Sequence, residues 1–323
     1  MDNRTQTMPY TYENISICKD VDDSVLVKDW NNLVNLDTEE NLNKYCGNKI
    51  LYKYQFKNIL NCRRGFRNYK TLEERFETEE LQKTLWNETL KRDRNKGKTP
   101  RACDVYECHR LNKGAIVCFK AATAKYIYSS FDSRNVLDPC AGWGGRLLGA
   151  SSLDIEYTGI DTNINMKSAY DNMKIDGFST DKQKIIWKSL FDVDFRESKY
   201  DLVLTSPPYF NVEIYEHSNP YSDENDYFNN FLIPMINKLY EETTCPICIN
   251  ISPEIYETLT KKYNYPECDY KINLKQQETH SKKTKKKRFN YIYIWRMIYY
   301  MKTGKKLKIK RVNSYLTHDP SVD

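Results

Sequence analysis

The 323-residue chain can form one large domain or two smaller ones, and its 40% hydrophobic residues suffice for a buried core. It has neither an apolar run long enough to span a membrane nor the apolar core of a signal peptide near residue 1, so we expect a soluble, intracellular protein with no membrane partner and with reduced cysteines. The net charge is +6, yet residues 275–311 hold 14 of the 50 Lys and Arg residues and one acid. This uneven charge indicates a polyanionic partner for one segment rather than for the whole protein.

The first predicted region is mostly helical. Residues 1–30 are polar and show no clear pattern, whereas residues 31–95 carry apolar side chains at loosely helical spacings. Thr71, followed three residues later by Glu74, has the pattern of a helix-starting capping box. A charged linker at residues 91–101, which contains a glycine and a proline, predicts the end of this region.

A small basic cluster lies inside this helical region. It consists of Arg63, Arg64 and Arg67 and predicts a nucleic-acid-binding face, with an ordinary exposed helix face as the alternative. We therefore predict a helical N-terminal region at residues 1–110 that could take part in DNA recognition.

A glycine-rich loop follows the first predicted strand. Residues 135–146 predict a strand, an acidic turn, a loop and a helix, and Gly142 and Gly144 permit a backbone turn that approaches a ligand closely. Asp161, 17 residues after Gly144, can accept both hydroxyl groups of a ribose. The same pattern describes a nicotinamide site, but no third glycine stands at the expected spacing and Asp138 precedes the loop.

From this loop onward, strands alternate with helices, which predicts a parallel sheet covered by helices on both faces. The expected strands are residues 136–138, 157–161, 185–191, 202–205 and 247–251, closed by a pair at 269–274 and 289–297. Asp138, Asp161, Asp192 and Ser206 fall at the carboxyl ends of the first four strands. Ligands of such sheets bind at that edge, so we expect these side chains to form one site.

The fourth strand runs into Ser206, Pro207, Pro208 and Tyr209. Neither proline has an N–H group, so the ladder of sheet hydrogen bonds stops there while the proline carbonyls remain available as acceptors. Ser206 adds a hydroxyl and Tyr209 adds a flat aromatic face. A group of acceptors beside a stacking platform suits a planar group that carries NH2, such as the exocyclic amine of a base.

Together the two loops resemble the S-adenosylmethionine-dependent amino-methyltransferases of DNA. That family has an Asp-Pro-x-x-Gly-x-Gly loop followed by a (Ser/Asn/Asp)-Pro-Pro-(Tyr/Phe) loop, and the chain has both in this order. The resemblance covers residues 111–300 and implies an α/β fold with the Rossmann-like sheet of class I methyltransferases, whose last strand is antiparallel. Residues 1–110 then form a mostly helical extension, and residues 301–323 form a basic tail.

The resemblance also implies a cofactor site for S-adenosylmethionine. Its loop residues are Asp138, Pro139, Ala141, Gly142 and Gly144. Asp138 would face the methionine part, Asp161 would bind the ribose and Asp192 would accept the adenine amine. Three residues just upstream would complete the methionine end, with a helix that packs on the sheet as the alternative: Phe119, Lys120 and Thr123.

The implied reaction is methylation of a base flipped out of double-stranded DNA. Ser206 and the carbonyl of Pro207 would accept the two N–H groups of the amine, while Tyr209 would stack on the base. In this family Ser-Pro-Pro-Tyr is more typical of enzymes acting on N4 of cytosine, with N6 of adenine as the alternative. An RNA base and a protein glutamine amide are further candidate substrates, although glutamine methylases usually carry Asn at the position of Ser206. A cytosine-carbon methylase would need a cysteine after a proline in the loop that binds the base, which we call the target loop (residues 206–209). Cys140 follows a proline, but in the glycine-rich cofactor loop (residues 138–144), which argues against that class of enzyme.

A second basic cluster lies near the carboxyl end, and we expect it to contact phosphates rather than bases. Its residues are Lys282, Lys283, Lys285, Lys286, Lys287 and Arg288. A solvated lysine tract is the alternative.

The ten cysteines form no regular framework. Two groups have residue types that bind zinc, namely Cys103, Cys108 and His109, and the pair Cys245 and Cys248. Each lacks a matching second half, so we expect buried thiols and no metal.

Overall fold

The computed structural model describes residues 7–38, 44–62, 70–92, 97–113, 116–210, 221–274 and 290–297. Both predicted basic clusters, at residues 63–67 and 282–288, lie outside this part of the chain, as does the predicted tail at 301–323. Within the described residues, no helix has both the length and the apolar character that crossing a bilayer would require.

A single seven-stranded sheet organises the fold, in the order β3-β2-β1-β4-β5-β7-β6. The strands are β1 (Asn135–Asp138), β2 (Glu156–Asp161), β3 (Gln183–Trp187), β4 (Leu202–Thr205), β5 (Ile247–Ile251), β6 (Tyr270–Leu274) and β7 (Asn290–Trp295). Strands β1 to β5 are parallel to their neighbours, and β7 runs antiparallel to both β5 and β6. This confirms the predicted fold class, including the antiparallel last strand.

Helices lie before the sheet in sequence and between its strands. The helices before the sheet are α1 (Tyr12–Ser16), α2 (Asp23–Val34), α3 (Asn48–Leu60), α4 (Glu79–Leu90), α5 (Ala102–Lys113) and α6 (Ala121–Ser130). The helices between strands are α7 (Gly145–Ser151), α8 (Lys167–Ile175), α9 (Glu224–Tyr227), α10 (Ile233–Glu242) and α11 (Pro253–Lys261). The helical N-terminal extension is therefore confirmed.

The N-terminal helices are tied to the sheet by a shared core and by one buried lysine. Leu33 of α2 and Leu51 of α3 belong to the same buried cluster as Val136 of β1. Lys125 of α6 is 6% exposed and donates hydrogen bonds of 2.8 Å and 2.6 Å to the carbonyls of Leu33 and Val34. An ammonium group there adds charge-assisted hydrogen bonds to carbonyls at the carboxyl end of α2. The N-terminal helices therefore support the sheet directly.

Local signals explain where the helices begin. Thr71 and Glu74 form the predicted capping box, since each backbone N–H donates to the other side chain, at 2.6 Å and 3.2 Å. The turn that follows is a 3-10 helix, Glu73–Phe76. Residues 1–30 showed no pattern, yet Thr11 and Asn14 form the same reciprocal cap at the start of α1. A short polar helix is held by such caps rather than by a long apolar stripe.

The third strand and the helix after β4 differ from their predicted lengths. β3 ends at Trp187 because the hydroxyl of Ser189 accepts a hydrogen bond from the backbone N–H of Phe191 and turns the chain. The predicted helix across Pro234 is divided by a π-helix, Phe228–Leu232, which ends directly before α10. A proline lacks the N–H that a continuous α-helix would use, and the wider turn accommodates this loss.

Candidate functional site

The two predicted loops leave adjacent strands at the same edge of the sheet. β1 pairs with β2 on one side and with β4 on the other, so the strand order reverses direction at β1. Such a reversal opens a crevice beyond the carboxyl ends of the strands, where ligands of this fold bind. Asp138 and Thr205 end β1 and β4, and the hydroxyl of Thr205 donates a 3.0 Å hydrogen bond to Oδ1 of Asp138.

Asp138 lies beneath the glycine-rich loop. Its side chain is 0% exposed. Oδ2 accepts hydrogen bonds of 2.6 Å each from Nε of Arg146 and from the hydroxyl of Tyr157, and Oδ1 accepts from Thr205 and from the backbone N–H of Cys140. The resemblance implies that this carboxylate faces the methionine part of the cofactor, which stays a prediction. In this structure four protein donors contact its two oxygens and connect it to the loop.

Arg146 completes this buried support. It is 4% exposed, pairs with Asp138 and also donates to the carbonyl of Cys140. Its guanidinium lies 5.1 Å from the ring centre of Phe119. Burial lowers the pKa of this guanidinium and the Asp138 carboxylate raises it, with a net rise, so the guanidinium stays charged. A buried pair of this kind orders the loop because either partner alone would be an uncompensated buried charge.

The loop itself depends on two glycines. Gly142 and Gly144 have φ angles of 59° and 93°, in the left-handed region that other residues rarely adopt. The hydroxyl of Tyr170 donates 2.6 Å to the carbonyl of Gly142, and a Cβ at Gly144 would lie 3.3 Å from the Tyr170 ring. Pro139 and Ala141 are buried within the same turn. One tyrosine therefore holds the loop at Gly142 and leaves little room for a side chain at Gly144.

Asp161 connects the end of β2 to this loop. One carboxylate oxygen accepts a 2.8 Å hydrogen bond from the N–H of Gly142, and the other accepts 2.9 Å from the N–H of Asn163. Each carboxylate oxygen has a second lone pair, so the side chain can still accept two further hydroxyl groups. Burial raises the pKa of Asp161, although the two backbone N–H groups lower it in part.

The end of β3 contributes exposed groups. Asp192, the predicted partner of an adenine amine, is exposed in the 3-10 turn Leu190–Asp192. Beside it, the side chain of Phe191 is 41% exposed, with its ring centre 6.4 Å from that of Phe231. The sequence reasoning missed Phe191 because it assigned this residue to the strand. An aromatic side chain exposed at this edge can cover one face of a planar ligand.

The three residues upstream of the loop divide into two groups. Phe119 and Lys120 flank the site: the ring of Phe119 lies near Arg146, and the ammonium of Lys120 lies 4.3 Å from the ring centre of Tyr45. A Cβ at the first residue of α7 would lie 1.8 Å from the carbonyl oxygen of Phe119, so this segment fits directly against the glycine-rich loop. Burial lowers the pKa of Lys120. Thr123 is buried within α6, as the packing-helix alternative expects.

The target loop contacts an asparagine that the sequence reasoning missed. Ser206 and Tyr209 are half-buried, and Pro207 is buried. Both hydroxyls lie 3.4–3.5 Å from the side-chain and backbone oxygens of Asn250, which is 4% exposed. A signal was present, because Asn250 is a strongly polar residue in the otherwise apolar β5 segment Ile247–Ile251.

Aromatic rings surround the end of the target loop. Tyr227 is fully buried between rings at centre-to-centre distances of 5.1–5.9 Å, which belong to Phe210, Tyr221, Phe228 and Phe231. Its hydroxyl has no hydrogen-bond partner among the described residues. Burial raises the pKa of this phenol well above its usual value, so it remains a neutral donor. Cys245 and Cys248 are buried, as predicted for structural thiols.

No protein-family model matches the chain, and no curated protein is significantly similar to it in sequence. Among solved structures, the chain is similar to an RNA methyltransferase from Salinibacter ruber in complex with S-adenosyl-L-homocysteine, at 17% identity and a TM-score of 0.36, over 55% of this chain and 92% of that one. It is also similar to an rRNA methylase from Streptococcus thermophilus, at 8% identity and a TM-score of 0.36, over 56% and 98% of the two chains. A likeness this low assigns neither a substrate nor an activity.

Proposed function

We propose that this protein is an S-adenosylmethionine-dependent methyltransferase that acts on the exocyclic amine of a base in double-stranded DNA, with N4 of cytosine as the favoured target. The observation that carries the proposal is the hydrogen bond between Thr205 and Asp138. It joins a glycine-rich loop, suited to a cofactor, to an acceptor-rich loop, suited to an amine. A methyl donor bound by the first loop would therefore lie beside an amine bound by the second.

The residues at the glycine-rich loop fit such a cofactor. Gly142 and Gly144 adopt left-handed conformations that let the backbone approach a ligand. Asp161 retains acceptor capacity for a ribose, while Asp192 and Phe191 offer an acceptor and an aromatic face for an adenine. When bound, S-adenosylmethionine supplies an electrophilic methyl group on a sulfonium. Asp138 contributes from below, by holding the loop in shape.

The target loop supplies acceptors for an amine. Ser206 and the carbonyl of Pro207 can accept the two N–H groups of an exocyclic amine, whose lone pair is otherwise delocalised into the base. Acceptance by both groups favours a pyramidal nitrogen with a lone pair available for attack. Positive charge then develops on that nitrogen, and fixed acceptors stabilise this charge more than they stabilise the ground state. The N–C bond would form as the S–C bond breaks, leaving S-adenosylhomocysteine, and one amine proton would pass to water, so no nucleophilic side chain is needed.

A base inside a duplex cannot reach these acceptors, so it must leave the helix at a cost of roughly a few kcal/mol. Tyr209 is the proposed stacking platform. The predicted phosphate contacts come from the two basic clusters, at residues 63–67 and 282–288. The preference for cytosine rests on the resemblance of Ser206-Pro207-Pro208-Tyr209 to the loops of N4-cytosine enzymes.

The decisive experiment is incubation of the purified protein with methyl-labelled S-adenosylmethionine and unmethylated double-stranded DNA, followed by mass spectrometry of the nucleosides. We expect label in N4-methylcytosine. Label in N6-methyladenine alone would show that adenine, and not cytosine, is the target base. A parallel sample with unmethylated total RNA tests the alternative substrate, and label there but not in DNA would overturn the DNA assignment.

The matched control variant is Ser206→Ala, which removes an acceptor from the amine site. Methyl transfer should fall by about 10²-fold or more, while the thermal shift produced by the cofactor stays unchanged. A protein that binds the cofactor and labels neither nucleic acid would refute the proposal.

A further inference from the structure

Asn250 lies where a buried strand meets the target loop. It is the fourth residue of β5 (Ile247–Ile251), all of whose residues are buried. β5 is flanked by β4 on one side and by β7 on the other. A polar side chain at such a position is costly unless its groups are hydrogen-bonded. Asn250 is therefore a residue whose contacts need an explanation.

The orientation of the Asn250 amide is set from the side of β7. Its Nδ2 donates a 2.7 Å hydrogen bond to the backbone carbonyl of Tyr291. A carbonyl oxygen only accepts, so the amide nitrogen must face Tyr291 and the amide oxygen must face away from it. That places Oδ1 toward the target loop, 3.5 Å from Oγ of Ser206 and 3.4 Å from the hydroxyl of Tyr209.

Two oxygens of Asn250 thus face two hydroxyl groups. The backbone carbonyl lies 3.4 Å from the Ser206 hydroxyl and 3.5 Å from the Tyr209 hydroxyl. Since the oxygens of Asn250 can only accept, a hydrogen bond forms at these contacts when the hydroxyl directs its hydrogen toward Asn250. These contacts are longer than the usual O–H···O distance of about 2.8 Å, so each is a weak hydrogen bond. They orient the hydroxyls without drawing the target loop tightly against Asn250.

This orientation matters for the chemistry of the target loop. A serine hydroxyl can either donate or accept, and only its acceptor side assists an amine that becomes positively charged. If its hydrogen is held by Asn250, the lone pairs of Ser206 remain for the amine. We propose that Asn250 is a positioning residue that holds the hydroxyl hydrogens of Ser206 and Tyr209, so that the Ser206 oxygen is presented to the substrate amine and the Tyr209 ring is fixed as the stacking platform. This inference rests on the proposed function.

The kinetic test uses Asn250→Leu, which keeps the number of side-chain heavy atoms and removes both polar atoms, and Asn250→Ala as a second variant. We expect the single-turnover rate on unmethylated double-stranded DNA to fall at least ~10-fold, with unchanged cofactor binding. In a Ser206→Ala background the same substitution should lower the single-turnover rate by less than about 3-fold, because the hydroxyl that Asn250 orients is gone. Equal losses in both backgrounds would overturn the proposal.

A second measurement decides the positioning role even if no methyl transfer is found. Hydrogen exchange of the Ser206, Tyr209 and Phe210 amides should be at least ~5-fold faster in Asn250→Leu than in the wild-type protein. The matched control is Asn273→Ala, because Asn273 lies on β6 on the other side of β7 and pairs with Tyr291 in the sheet. Unchanged exchange in the target loop of Asn250→Leu would refute the positioning role. If the wild-type protein transferred no methyl group to DNA, that result would refute only the proposed function.

Discussion

The hydroxyl of Thr205 donates a 3.0 Å hydrogen bond to Oδ1 of Asp138 across 67 residues of sequence, and both side chains are fully buried. This bond connects the ends of β4 and β1, and therefore the two loops that follow them. The relationship makes Thr205 a sensitive probe of the site.

Thr205→Val keeps the shape of the side chain and removes the donor. We expect a loss of about 1–3 kcal/mol in the free energy of unfolding, because a buried carboxylate oxygen loses a partner. Methyl transfer should fall more than cofactor binding, since the two loops are no longer joined. Urea unfolding and a labelled-cofactor assay measure the two effects. Thr260→Val is the control, because the Thr260 hydroxyl bonds to carbonyls of its own helix.

Asp138→Ala leaves the Arg146 guanidinium buried without its anion. We expect a loss of about 3–5 kcal/mol in the free energy of unfolding, and loss of the thermal shift produced by S-adenosylmethionine, because the loop collapses onto the gap. Adding Arg146→Met should recover part of the stability in urea unfolding. If the double variant were as unstable as the sum of the single variants, the ion pair would not be the cause.

Much of this arrangement could be predicted from local sequence. Asp138, Asp161 and Ser206 each follow a short apolar run, and the carboxyl ends of parallel strands meet at one edge. The antiparallel direction of the last strand followed from the resemblance to a known sheet. What could not be predicted was the exposure of Asp138, because its enclosure depends on Arg146 and Tyr157, which approach it only after the chain has folded.

Two further differences have tertiary or local causes. Asn250 was missed because its role depends on the pairing of β5 with β7, and its partner Tyr291 lies 41 residues away in sequence. The end of β3 was predicted too late because apolar residues resume at Leu190 and Phe191, while the hydroxyl of Ser189 accepts a backbone hydrogen bond and starts a turn. Apolar periodicity alone cannot detect such a turn.

Asp161 should make cofactor binding sensitive to acid. Burial raises its pKa, so protonation occurs at a higher pH than for an ordinary aspartate. The carboxylate form is needed to accept two hydroxyl groups, and affinity should therefore fall as the pH drops through this raised pKa. The free energy of unfolding should instead rise as the pH drops through this range, because the folded state binds the proton more tightly than the unfolded chain does.

Calorimetric titration of S-adenosylmethionine across the acidic range measures this effect. Asp161→Asn should weaken binding by about 10-fold at neutral pH and abolish the dependence on acid. Asp171→Asn, at an exposed position on α8, is the control. An Asp161→Asn protein that keeps the acid dependence of the wild type would assign the titration to another group.

The basic cluster at residues 282–288 should govern nonspecific DNA affinity. Replacement of its Lys and Arg residues by Ser should weaken binding to DNA of any sequence, because lysines contact phosphates rather than base edges. The slope of log affinity against log salt concentration should become shallower by about five, as fewer counterions are released. Fluorescence anisotropy at several salt concentrations measures the slope, and an unchanged slope would show that the cluster stays in solvent.

Two buried tyrosines should respond oppositely to the loss of their hydroxyls. The Tyr227 hydroxyl has no hydrogen-bond partner among the described residues, whereas the Tyr157 hydroxyl donates 2.6 Å to Asp138. Without ligand, Tyr227→Phe should raise the free energy of unfolding by about 1 kcal/mol, and Tyr157→Phe should lower it by about 1–3 kcal/mol. The two variants control for each other, because both delete one oxygen from a buried ring. Urea unfolding in the absence of cofactor measures both, and a destabilised Tyr227→Phe would mean that this hydroxyl has a partner in solution, such as a bound water.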